Sequence, residues 1–88
     1  MAKRGDEIRV KTYVEVVALH KGDGSCEPLL IIYKDGRCFK IDRVLDVRRA
    51  SSYYTGSVGV RYHVQIGAKR TFLYHEKPRW FVEALSKV

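Results

Sequence analysis

From Ile8 onward, apolar and polar residues alternate along the chain. Ile8, Val10, Val14, Val16 and Ala18 fall on one side of a period-two pattern, and Arg9, Lys11 and Glu15 on the other. Alternation of this kind predicts a strand with one buried face, and the β-branched residues suit it better than a helix. The stretch HKGDGS, residues 20–25, supplies turn chemistry, since its glycines reach backbone conformations closed to other residues. Pro28 opens a second apolar run, Leu29 to Tyr33, and Asp35-Gly36 follows between strand-like flanks, a strong hairpin signal. A loop with those two residues at its centre sets Ile32 opposite Phe39 and Leu30 opposite Ile41. The alternation then continues through Leu45 and Val47, with a break in parity at Arg43-Val44 that predicts a bulge or bend.

The cleanest pattern lies further on. Val58, Val60, Tyr62, Val64 and Ile66 share one face, while Ser57, Gly59, Arg61, His63 and Gln65 share the other. Gly67-Ala68 reads as a two-residue turn with glycine first, as a type II′ turn requires. That turn pairs Val64 with Thr71, Tyr62 with Leu73 and Val60 with His75. On the opposite face it pairs Arg61 with Tyr74, His63 with Phe72 and Gln65 with Arg70. Pro78 ends the strand. Residues 79–88 admit two readings, a last strand built on Trp80, Phe81 and Val82 or a short helical turn. The strand is preferred, because so short a helix depends on packing. The expectation is all-β: a small antiparallel meander of five to six strands curling into an SH3-like or similar barrel or half-barrel. Residues 1–88 form one small domain, with residues 1–6 a frayed end.

Composition changes the picture in one respect. Lys and Arg number 17 against 10 Asp and Glu, for a net charge of +7, which favours polyanionic partners or simply solubility. The opening stretch MAKRGDEIRV lacks an apolar segment behind its charges, and no run approaches a membrane span, so a cytoplasmic protein without a membrane partner is expected. Cys26 and Cys38 form neither a disulfide framework nor a CxxC pair. Cys38 reads as a half-buried strand residue and Cys26 as the more exposed turn residue. No nucleophile elbow, phosphate loop or zinc-protease motif is present, and His20, His63 and His75 lack the short spacing of a structural zinc site. Neither catalytic residues, nor a metal, nor a cofactor are expected.

The basic and aromatic residues carry the functional expectation. Arg48, Arg49, Tyr53 and Tyr54 cluster near one strand end, and Arg61, His63, Lys69, Arg70, Phe72 and Tyr74 cluster on the outward face of the hairpin around Gly67-Ala68. Rings between cations on a sheet face are the arrangement with which small barrels hold nucleic acid: bases stack and phosphates meet positive charge. The ligand is then single- or double-stranded nucleic acid. The alternative is a protein–protein interaction or a homodimer, built from edge strands or the same aromatic face, without catalysis.

The segments IYKDGRCFKIDRVLDVRRA, VRYHVQI and WFVE resemble a group of small uncharacterised bacterial proteins, mostly clostridial and related Firmicute. The resemblance runs from about Val14 to Glu83. It rests on Asp35, Gly36, Arg37, Ile41, Asp42, Val44, Leu45, Asp46, Gly59, Arg61, Tyr62, Leu73, Trp80, Phe81 and Glu83. It implies a bacterial protein and assigns no residue a role. Asp42, Arg43 and Asp46 with Arg61 also read as a salt-bridge network across strands.

Overall fold

A computed structural model describes residues 7–51 and 58–87. The frayed end expected at residues 1–6 lies outside the described residues. Over these described residues the chain is all-β, with seven antiparallel strands: β1 (Glu7–His20), β2 (Cys26–Ile32), β3 (Cys38–Lys40), β4 (Arg43–Ser51), β5 (Val58–Ile66), β6 (Lys69–Glu76) and β7 (Arg79–Lys87). They form one sheet in the order β3-β2-β1-β7-β6-β5-β4. The strands at the two edges, β3 and β4, are consecutive in the chain and joined only by Ile41 and Asp42. A flat sheet would hold its edges about 29 Å apart, while that link reaches at most ~11 Å. The sheet therefore curls into a half-barrel. The link is tied on both sides: Ile41 N donates to Leu29 O at 2.9 Å and Asp42 N to Gln65 O at 2.8 Å.

β1 makes the curl possible. Its first part, Glu7 to Val14, pairs with β7, and its second, Glu15 to His20, pairs with β2. The concave face collects Val14, Ile31, Ile41, Tyr62, Val64, Leu73, Trp80 and Val82 as the core. The β5–β6 register matches the sequence expectation pair for pair, from Val60 opposite His75 to Gln65 opposite Arg70. Its turn has Gly67 at a φ of +60° with Ala68 at negative φ, as type II′ requires.

Three expectations need correction. The strand count is seven, because the expected single strand running through Phe39 and Val47 is broken at Ile41-Asp42 into two edge strands, with a separate bulge at Leu45. The Asp35-Gly36 hairpin is one residue out of the expected register: Ile31 faces Phe39 and Ile32 faces Cys38. The cause is local. Arg37 N donates to Asp35 Oδ1 at 3.0 Å, Gly36 N donates to Tyr33 O at 2.9 Å and Gly36 takes a φ of +93°. The result is a three-residue loop closed by a glycine bulge, not a two-residue turn. From Arg79 to Lys87 the C-terminal segment is the preferred strand, because β1 offers it an eight-residue ladder from Val14–Trp80 to Glu7–Lys87. The cysteines exchange roles: Cys38 is exposed, and Cys26 is partly buried at the start of β2.

Candidate nucleic-acid interface

The convex face of β4, β5, β6, β7 and β1 is where the predicted residues meet. Strand pairing lines up one row across all five strands: Arg48, Arg61, Tyr74, Phe81 and Tyr13. The next row carries Asp46, His63 and Phe72. Period-two alternation puts these side chains on the face opposite the core.

The first row changes character along its length. At one end Tyr74 and Phe81 stack in parallel, with centroids 4.9 Å apart at 5°, and Tyr13 meets Phe81 edge-on at 5.9 Å. Tyr74 is only 3% exposed and Phe81 only 1%. Lys11 holds its ammonium 4.7 Å from the Phe81 centroid, and Arg79 sets its guanidinium 4.4 Å from that of Tyr13. Glu76 ties this cover down, accepting from Lys11 Nζ at 3.2 Å and from Tyr13 OH at 3.0 Å. Those two hydrogen bonds hold the Glu76 carboxyl below the usual carboxylate range. This end of the face is a second, smaller packed layer.

The other end is open. Phe72 is 40% exposed. Arg61 places its guanidinium carbon 4.7 Å from the Phe72 centroid, and the His63 ring lies 4.8 Å away at 34°. Arg61 and Arg48 sit directly opposite each other on β5 and β4, a like-charge pairing that costs stability unless an anion approaches. Arg48 Nε donates to Asp46 Oδ2 at 2.6 Å, and that bond, with the Arg61 charge behind it, holds the Asp46 carboxyl low. Among the described residues, neither Arg61 nor Arg70 has a carboxylate within ion-pair distance. The expected network of Asp42, Arg43, Asp46 and Arg61 therefore does not form as ion pairs. Asp42 instead accepts from Gly67 N at 2.6 Å, tying the β3–β4 link to the β5–β6 turn.

Five predicted residues thus share the open surface: Arg48, Arg61, His63, Arg70 and Phe72. Tyr74 lies on the same face but is covered, so its ring offers no stacking surface. Arg49 pairs with Val60 and Lys69 with Ile66, so alternation turns both toward the other face. Tyr53 and Tyr54 lie outside the described residues. Sequence reasoning missed Lys11, Tyr13, Glu76, Arg79 and Phe81, the closed half of the row. Their alternation is visible in the sequence, but the β1–β7 pairing that joins them spans nearly the whole chain.

The concave side holds a further cleft of about 760 Å³, lined by His20, Cys26, Val47, Tyr62, His75 and Trp80 among others. There the His75 ring stacks on Trp80 at 3.9 Å and 2°. Burial, then the nearby Lys77 and His20, push the His75 pKa down. Burial likewise pushes the Cys26 thiol up. Among the described residues no group of three or more His, Cys, Asp or Glu is placed to hold a metal ion, and no helix is long and apolar enough to cross a membrane. No family model, curated protein or solved structure matches this chain.

Proposed function

We propose that the chain binds single-stranded nucleic acid on the open part of the convex face, with no covalent chemistry of its own. The observation that carries this reading is the exposed Phe72 ring, flanked by Arg61 and His63 on a strip with Arg48 and Arg70. A base stacks on the Phe72 ring and the Arg61 guanidinium plane, and this interaction is tolerant of sequence because every base has a π-face. The backbone phosphates lie against Arg61, Arg70 and Arg48. A phosphate between Arg61 and Arg48 relieves their mutual repulsion, so part of the binding energy comes from a strain already present in the free protein. The net charge of +7 supports association with a polyanion at long range. Stacking on an exposed ring needs an unpaired base, hence a single strand in preference to a duplex.

Charge reversal at Arg61 and Arg70, which have no carboxylate within ion-pair distance among the described residues, tests the reading. Arg61→Glu and Arg70→Glu are each expected to weaken binding of a labelled single-stranded oligonucleotide. The slope of log affinity against log salt should shallow by about 0.7 for each phosphate that the variant no longer neutralises. Variants that bind as the wild type does, with an unchanged slope, would remove the convex face as the site.

A further inference from the structure

We propose that the chain forms a two-fold homodimer by antiparallel pairing of β4 with β4 of a second copy, registered on Val47. β4 stands at the edge of the sheet order, paired with β5 on one side only. Its neighbour across the barrel opening, β3, has three residues and pairs with β2. The link at Ile41-Asp42 closes the barrel at one end of β4, and among the described residues no second strand pairs with β4 along its outer edge. A strand edge of this length is a template for another strand. It also exposes apolar side chains, with Val47 at 49% and Leu45 at 36%.

Charge selects both the occupant and the register. Asp46 is the only acid in β4, among Arg43, Arg48 and Arg49. Residues opposite each other in an antiparallel pair share a face, which excludes Arg49 as a partner for Asp46. The bulge at Leu45 interrupts any regular pairing through Arg43. Arg48 remains. Centring the two-fold on Val47 puts Asp46 of each copy opposite Arg48 of the other, twice by symmetry. It also brings the two exposed Val47 side chains together on the concave side. β4 is thus complementary to itself in one register. The outcome is a continuous convex sheet carrying two Phe72 sites related by the two-fold, although the dimer does not depend on what those sites bind.

The test uses the full chain and reads its mass by size-exclusion chromatography with light scattering. The wild type is expected at twice the 10.2 kDa chain mass. Asp46→Arg places arginine opposite arginine, and Arg48→Asp places aspartate opposite aspartate, so each variant alone is expected at the mass of one chain. Mixed in equal amounts, the two are complementary at both positions and are expected to return to the dimer mass. The two side chains are substantially exposed, at 44% and 68%, so both variants should keep the wild-type circular dichroism spectrum. A wild type that stays monomeric at high concentration overturns the proposal. So do single variants that remain dimeric, which would place an interface elsewhere, or a mixture of monomeric variants that fails to associate.

Discussion

Replacing Phe72 with leucine separates stacking from charge. The ring is 40% exposed and touches Arg61 and His63. Leucine keeps most of the apolar contact with the arginine stem and the imidazole edge while removing the π-face. Loss of the cation–π contact with Arg61 at this exposed site costs the fold about 0.5–1 kcal/mol, a shift in Tm of roughly 2–8 °C for a domain of this size. Binding loses more. Stacking of one base on an aromatic contributes about 1–3 kcal/mol, and leucine retains part of the apolar contact, so a loss of about 1–2 kcal/mol is expected. That corresponds to a roughly 5- to 30-fold weaker Kd. Phe72 carries no charge, so the salt slope should stay as in the wild type, whereas Arg61→Glu and Arg70→Glu should change it. Fluorescence anisotropy with a labelled single-stranded oligonucleotide across a salt series reads both quantities at once. Unchanged affinity in Phe72→Leu, in a protein that still folds, would refute base stacking on this ring.

Three further outcomes follow from the packing. Gly59 sits where an added Cβ would lie 2.7 Å from the backbone oxygen of His75, so Gly59→Ala must push β5 away from β6; thermal unfolding should show a loss of about 1–3 kcal/mol, and an unchanged Tm would mean that the two strands are less tightly apposed. Burial, with Lys77 and His20 nearby, lowers the His75 pKa below the ordinary 6.5; the unfolded chain therefore binds the proton first as pH falls, and stability is full above about 6.5 and declines below it. His75→Phe keeps a ring on Trp80 and should flatten that decline on the acid side of neutrality, where the wild type loses Tm; parallel pH–Tm curves for the two proteins would show that another group titrates. Cys38 is exposed, whereas the Cys26 thiol is partly buried and raised in pKa, so a thiol-reactive dye should label Cys38 first; equal rates, followed by mass spectrometry of peptides, would contradict the burial of Cys26.

How much of this was legible in the sequence depended on how local the deciding interaction is. The β5–β6 hairpin could be read to the residue because Gly67-Ala68 admits a turn of one length and nine residues of unbroken alternation leave one register with the core inside. Asp35-Gly36 serves loops of two lengths. The Asp35 carboxylate, by capping Arg37 N, selects the longer one, and the dipeptide alone does not show that choice. The parity break at Arg43-Val44 was visible, and the expected bulge lies beside it, between Val44 and Asp46. What the pattern did not show is that the chain crosses from one edge of the sheet to the other just before it, at Ile41-Asp42. The cations and rings of the convex face were legible as an alternating pattern. Which rings stay open was not: Tyr74 and Phe72 are two residues apart on the same side of β6, and only the arrival of Phe81 from β7 covers one of them. The edge exposed by β4 was equally hidden, since it follows from the pairing of the first strand with the last.

The most direct measurement is a titration of the purified protein against labelled single- and double-stranded oligonucleotides, at low salt and at ~150 mM. Binding by the convex face predicts micromolar or tighter affinity for the single strand that persists at the higher salt, and weaker binding of the duplex. Binding that vanishes at ~150 mM salt, or that favours the duplex, would contradict stacking on Phe72 and leave the +7 charge as a general electrostatic attraction without a site.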